Sequence, residues 1–302
     1  MFDPAAWIQA ARPLAQINIA LPLLLGQALA FATLGRFSLG LMYCAGVFGT
    51  LVQLVIVFVN DFADRETDAL NTTFSRFSGG SRVLPEGRIA PASLRRAALV
   101  MLALLGLFCA GLAVLGRPWA PMFALATALL VWAYNHPPLR LAYRGHGELV
   151  QGLGVGAVLP LAGYYLQAGT LTGFTWHALV PLVFLGYTGN ILTALPDAPS
   201  DRASGKRSYP VRRGEWTARR HALELLAMAA AMGGWVVPGL SLPLVALMAA
   251  PALGMAALAV PLLGSADAEN RSECERFVLL AASAGHLLLL SWALVLVVRA
   301  LV

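Results

Sequence analysis

Charge is what this chain has least of. Only 12% of its 302 residues are Asp, Glu, Lys or Arg, about half of the roughly 25% usual in soluble domains. A soluble fold is excluded, because 59% of the residues are hydrophobic and mean hydropathy is +0.72. Cysteine is equally sparse: Cys44, Cys109 and Cys274 have neither the number nor the spacing of a disulfide framework or a thiolate metal site. The net charge of +6 reflects membrane topology and whatever the cytoplasmic loops bind, and does not suggest nucleic acid. The first apolar run is not followed by a small-residue cleavage site, so it is read as a span and not as a signal peptide.

What is present is a succession of apolar runs, each near the ~20 residues that cross a bilayer. Hydropathy predicts nine spans, at about 14–34, 39–60, 95–115, 118–136, 147–168, 174–196, 218–239, 241–263 and 277–298. Pro238, Gly239 and Pro243 divide the long run after Ala218 into two. All but three of the 21 basic residues (Arg36, Arg117 and Arg299) fall in alternate connections. Positive charge stays on the cytoplasmic side. The chain is therefore expected to be a multi-pass protein of the cell (inner) membrane, with a cytoplasmic N-terminus and an external C-terminus.

Against this apolar background the stretch "VFVNDFADRETDALN" stands out. Asn60, Asp64 and Asp68 repeat at i, i+4 and i+8, so a helix continuing past the membrane edge stacks them on one face with Asp61 at its margin. Like charges at that spacing repel, more so near a low-dielectric boundary. Hard oxygen ligands without His or Cys favour Mg²⁺, which takes one or two carboxylates and completes its shell with water and phosphate oxygens. The bland alternative is a solvated helix end.

A second cluster follows the sixth run in "LPDAPSDRASGKRS". Asp197 and Asp201 are again four apart and again followed by Arg. Asp64-Arg65 aligns with Asp201-Arg202, and Asn60 with Asp197, a hint of an old internal duplication. Pro196 and Pro199 predict a kinked or broken helix end here. Between and after the clusters come Arg82, Arg140, Lys206 and Arg207. Mg²⁺ on both acidic sets and cations on the remaining oxygens suit a diphosphate. A long hydrocarbon on that diphosphate finds its place among the spans, which points to an isoprenyl diphosphate.

"NDFADRETD" resembles the NxxxDxxxD motif of the UbiA superfamily of intramembrane prenyltransferases, and "DAPSD" its DxxxD motif. "AARP", "YNHPPLRLAYRGHGEL", "GGSRVLPEGRI" and "DRASGKRSYPVRRG" are similar to the menaquinone and phylloquinone branch, which prenylates 1,4-dihydroxy-2-naphthoate. The prolines around Asp197 and the paired arginines of "VRRG" depart from it. The resemblance implies one domain over 1–302, with nine helices around a central cavity capped by the cytoplasmic loops 61–94, 137–147 and 197–217. It implies one Mg²⁺ on Asn60, Asp64 and Asp68, with Asp61 beside them, and a second on Asp197 and Asp201. Arg82, Arg140, Arg144, Lys206 and Arg207 would bind diphosphate oxygens, and Tyr134 would stabilise an allylic cation or orient a ligand. "SGGS" at 78–81 is a candidate hinge for closing the cap.

His136, His146 and Glu148 are candidates for deprotonating an acceptor, while His177, His221 and His286 read as packing or interface residues. Glu224 pairs in sequence with Arg220 at i, i+4. A transporter is the rival from another class, but its carboxylates belong near the midplane. A CDP-alcohol phosphotransferase needs a glycine after its first Asp that "DFADRETD" lacks. A terpene cyclase of the same superfamily would ionise the same diphosphate without an acceptor. Oligomeric state is left open.

Overall fold

Local chemistry starts the first helices. In the computed structural model, which describes residues 3–75 and 79–302, Asp3 accepts a hydrogen bond from the amide of Ala6 at 3.1 Å and caps α1 (Pro4–Ala11), with Pro4 at the first helical position. A 3₁₀ turn, Pro13–Gln16, leads into α2 (Ile17–Leu34), which ends at Gly35 in the left-handed region. Ser38 caps α3 (Leu39–Ala63), and the chain bends at Asp64 into the short α4 (Arg65–Leu70). Then come α5 (Pro91–Val114), α6 (Ala120–Asn135) and α7 (Gly147–Leu153), the last joined to α8 (Leu159–Ala168) by a π-helical turn. The second half holds α9 (Leu179–Ala194), α10 (Ala198–Ala203), α11 (Tyr209–Arg213), α12 (Glu215–Ala231), α13 (Gly233–Val236), α14 (Leu242–Ala259) and α15 (Arg271–Leu301). Among the described residues every regular element is helical. Arg76 and Ser78, the latter part of the expected hinge, lie outside them.

The count of nine spans is not upheld. Among the described residues seven helical stretches are long and apolar enough to cross a membrane: Pro4–Leu34, Leu39–Ala63, Pro91–Val114, Gly147–Ala168, Trp176–Ala194, Leu242–Gly264 and Arg271–Leu301. The run at 118–136 forms the 16-residue α6, whose length of about 24 Å falls short of a ~30 Å hydrocarbon core. The run at 218–239 breaks at Met232 into α12 and α13, and α12 carries Glu215, Arg219, Arg220 and Glu224 between its first residue and its middle. Hydropathy averaged those charges against the apolar residues beyond the break.

The bundle closes through α2, which packs against α8, α3 and α15, while α9 packs against α7 and α12. Small residues let α2 and α8 meet backbone to backbone: a Cβ on Gly26 would stand 2.0 Å from the carbonyl oxygen of Pro160, and one on Gly163 would stand 2.2 Å from that of Leu23. Arg219 is fully buried and holds the turn after α14, donating to the carbonyls of Leu263 and Ala266 and pairing with Asp267 at 2.9 Å. Replacing Gly163 by alanine is expected to lower stability by about 1–3 kcal/mol. Alanine at Gly106, where a Cβ meets nothing within 4 Å, is expected to cause no loss. Thermal melts of both variants in detergent check the contrast.

Candidate active site

One end of the bundle opens into a cavity of about 1150 Å³. Its deeper wall is apolar, with Ile19, Val52, Ile56, Leu159 and Leu182 among its residues, and its mouth carries both acidic clusters. Among the described residues, the charged members of the wall are Asp61, Asp64, Asp68, Glu148, Asp197 and Asp201, against Arg12, Arg82 and Lys206. Acids outnumber bases in a space walled by low dielectric, where unbalanced charge is costly.

The turn after α3 sets out the first cluster. The amide of Asp64 donates to the carbonyl of Asn60 and that of Asp68 to the carbonyl of Asp64, each at 2.8 Å, so the i, i+4 register runs through the bend. Asn60 accepts from the carboxamide of Asn135 at 2.7 Å. One oxygen of Asp64 accepts from the Tyr143 hydroxyl at 2.8 Å and the other from Lys206 at 2.9 Å. Asp68 is buried; desolvation, then repulsion from Asp64, Asp197 and Asp61, pushes its carboxyl up to about 8. Asp61 differs from its neighbours. It is 3% exposed, pairs with Arg12 and accepts from the amide and hydroxyl of Ser81. It thus ties α1 and the loop before α5 to the cluster.

The second cluster sits at the break between α9 and α10, where the two prolines interrupt the helix. Asp197 accepts from the carboxamide of Asn71 at 2.7 Å and from the amide of Gly79 at 3.2 Å. Burial and the neighbouring Asp201 push Asp197 up to about 6. Both oxygens of the buried Asp201 lack a hydrogen-bond partner, and Lys206 stands 3.5 Å from one of them. Burial also raises the Asp201 carboxyl, against the opposing pull of Lys206. Lys206 is the only lysine in the chain and bridges the two clusters. Burial would lower its ammonium, yet Asp64 and Asp201 hold it well above the ordinary lysine value.

Glycine is required where the loop meets this site. Gly80 has φ +70°, and a Cβ there would come 2.1 Å from an oxygen of Asp68; Gly79 has φ +77° and a similarly close contact with Phe74. The pair expected as a hinge therefore also serves close packing. Arg12, Arg82 and Arg140 are non-glycine residues with positive φ, at 46°, 68° and 41°. Such residues cost about 1–3 kcal/mol each and cluster at functional sites.

The cations predicted from sequence divide into two groups. Arg82 and Lys206 lie on the cavity wall; Arg82 donates to the carbonyl of Asp68 and stacks on Phe74 at 4.4 Å, and its Nε is buried without a partner. Arg140 lies 3.6 Å over the ring of Tyr143, and Arg144 and Arg207 are exposed outside the cavity wall. Tyr134 lines the cavity, its hydroxyl accepting from Asn190 at 3.0 Å. His136 and His146 are not on the wall; Glu148 is. Glu224 pairs with Arg220 at 3.0 Å, as the spacing predicts.

Sequence reading missed Tyr143, Asn71, Asn135 and Arg12. Tyr143 lies within the quoted "LRLAYRG", but nothing in its spacing tells that its hydroxyl meets Asp64 and Thr67 at 2.8 and 2.9 Å. Among the described residues no three His, Cys, Asp or Glu side chains come close enough to hold a metal by themselves. Mg²⁺ does not require that, since phosphate and water oxygens complete its shell. The unpartnered oxygens of Asp201, the raised carboxyls and the all-oxygen donor set fit Mg²⁺ bound together with a phosphate ligand.

The sequence profile of the UbiA prenyltransferase family matches residues 19–284. The 1,4-dihydroxy-2-naphthoate octaprenyltransferase of Mycobacterium leprae is 26% identical over 214 residues, 70% of each chain. The digeranylgeranylglyceryl phosphate synthase of Methanopyrus kandleri is 29% identical over 227 residues, 72% of this chain and 73% of its own. Among solved structures, a UbiA homolog from Archaeoglobus fulgidus bound to GPP and Mg²⁺ superposes with a TM-score of 0.66 at 16% identity, over 97% of this chain and 99% of that one.

Partners of a metal-binding carboxylate commonly change metal affinity about 10–100-fold when lost. Tyr143→Phe is therefore expected to raise, by about that factor, the Mg²⁺ concentration that half-saturates the thermal stabilisation seen with inorganic diphosphate. An unchanged titration would show that Asp64 needs no support from this hydroxyl.

Proposed function

The chain belongs to the UbiA prenyltransferase family, and we propose that it moves a prenyl group from an isoprenyl diphosphate to an aromatic acceptor of the 1,4-dihydroxy-2-naphthoate type, at the cytoplasmic face of a cell membrane. One observation carries this reading. Two acidic clusters far apart in sequence meet across Asn71–Asp197 at 2.7 Å and Lys206–Asp64 at 2.9 Å, at the polar mouth of an apolar cavity. A diphosphate belongs at that mouth and its hydrocarbon along the wall below. The quinone-precursor acceptor is supported by the "YNHPPLRLAYRGHGEL" and "SGKRSYP" stretches and by the M. leprae relative, against the glyceryl phosphate synthase among the other relatives. The cytoplasmic orientation is supported by the basic residues gathered around the site.

Asn60, Asp64 and Asp68 would hold one Mg²⁺, with Asp61 anchoring them from behind, and Asp197 and Asp201 a second. Bound there, Mg²⁺ supplies positive charge to the departing diphosphate. Lys206 and Arg82 would bind the remaining diphosphate oxygens, Lys206 from its place between Asp64 and Asp201. Arg140, Arg144 and Arg207 add positive potential at the rim. Together these groups stabilise the charge that develops on the leaving oxygen, commonly the largest catalytic contribution. The apolar wall keeps water from the allylic cation. Tyr134, its hydroxyl fixed by Asn190, presents aromatic surface to the cavity and stabilises that cation through its ring.

Purified protein with Mg²⁺ and labelled geranylgeranyl diphosphate, with and without 1,4-dihydroxy-2-naphthoate, tests the assignment. A lipid-soluble adduct should require the acceptor and Mg²⁺. Asp64→Ala and Asp201→Ala should each reduce its formation about 10²–10³-fold, the range seen when a single transition-state contact is removed. Hydrocarbon or alcohol released without acceptor would instead mark a cyclase. Intact diphosphate under all conditions would exclude the transfer.

A further inference from the structure

Outside the two acidic clusters, one carboxylate remains on the cavity wall. Glu148, the second residue of α7, is 1% exposed. Its Oε2 accepts from Arg212 at 3.1 Å, while Oε1 is buried without a hydrogen-bond partner. Leaving a buried carboxylate oxygen unsatisfied is costly, and such groups call for a ligand or a role. The partner is held firmly: the guanidinium of Arg212 also donates to the carbonyl of Arg207 at 3.1 Å and packs on Gly145, where a Cβ would come 2.5 Å from Arg212 Nε. One turn along α7, Gln151 accepts from Asn190 at 2.9 Å, and Asn190 also donates to Tyr134. Glu148, Gln151, Asn190 and Tyr134 make a polar strip on the wall beside the acidic clusters.

We propose that Glu148 accepts the proton of the acceptor's ring hydroxyl, and that this restricts the acceptor to aromatic rings bearing an ionisable hydroxyl. The inference rests on the transfer reading above. As the C1–O bond of the prenyl diphosphate breaks, diphosphate leaves with the bonding pair. A ring carbon ortho to the hydroxyl supplies the pair for the new carbon–carbon bond. The hydroxyl proton passes to Glu148 Oε1, and the oxygen becomes a carbonyl, so the ring product is uncharged. Aromaticity returns when the substituent on that carbon leaves without its electron pair, either as a proton taken by diphosphate or, from a carboxylate, as CO₂. Glu148 then returns its proton to the carbonyl oxygen and is regenerated. Arg212, bonded to the other carboxylate oxygen, orients the side chain.

Glu148→Gln keeps the shape of the side chain and an oxygen for Arg212 but removes the base. With purified full-length protein, its affinity for Mg²⁺–geranylgeranyl diphosphate should stay within about 3-fold of wild type. Its kcat for transfer to 1,4-dihydroxy-2-naphthoate should fall about 10²–10⁴-fold, the usual contribution of a positioned base. The remaining rate should climb with pH as the acceptor ionises in solution. Wild-type kcat in the variant would overturn the proposal, and so would an equal loss of diphosphate affinity, which marks a structural role. Where Glu148→Gln does not fold, the wild-type enzyme decides: the dimethyl ether of the acceptor should not be prenylated, and its turnover at the rate of the free diol would overturn the proposal. Failure of wild type to prenylate any hydroxylated ring overturns the transfer reading and this proposal together; transfer unaffected by Glu148→Gln removes this proposal alone.

Discussion

The rest of the site depends on repulsion between carboxylates at the edge of a membrane bundle. Asp64, Asp68, Asp197 and Asp201 share one cavity mouth with too few cations to neutralise them. Lys206 stands between the clusters and pairs with both. Its ammonium is one charge against several: burial first, and then repulsion among the carboxylates, push Asp68 and Asp197 up, and Asp201 retains unpartnered oxygens. A site poised in this way gains most when divalent cations arrive with an anionic ligand. On the proposed reading, the same imbalance becomes binding energy for metal and diphosphate.

Holding such a cluster together takes a polar scaffold around the carboxylates. Asn135 fixes Asn60, Asn71 and Gly79 fix Asp197, Tyr143 fixes Asp64, and Arg12 with Ser81 fixes Asp61. These partners come from the residue after α1, from α6 and from the loops after α4 and α6, so two connections and the N-terminal helix converge on one point. Below it the requirements are opposite: the wall must be apolar and dry. The glycine contacts between α2 and α8 bring the two backbones close enough to exclude water, and a polar pair between these helices, Gln27 with Gln167, is buried and mutually hydrogen-bonded at 3.1 Å. The polar strip of Glu148, Gln151 and Asn190 lies on that wall, as do the scattered polar side chains of Gln53, Thr127 and Thr188.

Local chemistry made much of this legible from sequence. Scarce charge and long apolar runs require a membrane bundle. The i, i+4 spacing of Asn60, Asp64 and Asp68 survives the bend after α3 because it depends only on helical hydrogen bonding between neighbours. Pro196 and Pro199 break the helix at Asp197 for an equally local reason, the missing amide hydrogens of proline. Hydropathy failed for α6 and α12, since a window average cannot see that one helix is short or that another begins with a charged turn.

Long-range proximity is what the amino-acid order did not contain. Nothing local tells that Lys206 reaches Asp64, that Asn71 reaches Asp197, or that Tyr143 reaches Asp64 while Arg140, Arg144 and Arg207 stay off the cavity wall. Those pairings follow from how the helices pack and how the loops fold over the bundle end. Sequence alone determined the medium this protein inhabits and the kinds of ligand atoms it offers. The tertiary structure decided which of them share a cavity, because side-chain chemistry acts over a few ångströms, and only packing brings residues more than a hundred positions apart within that range.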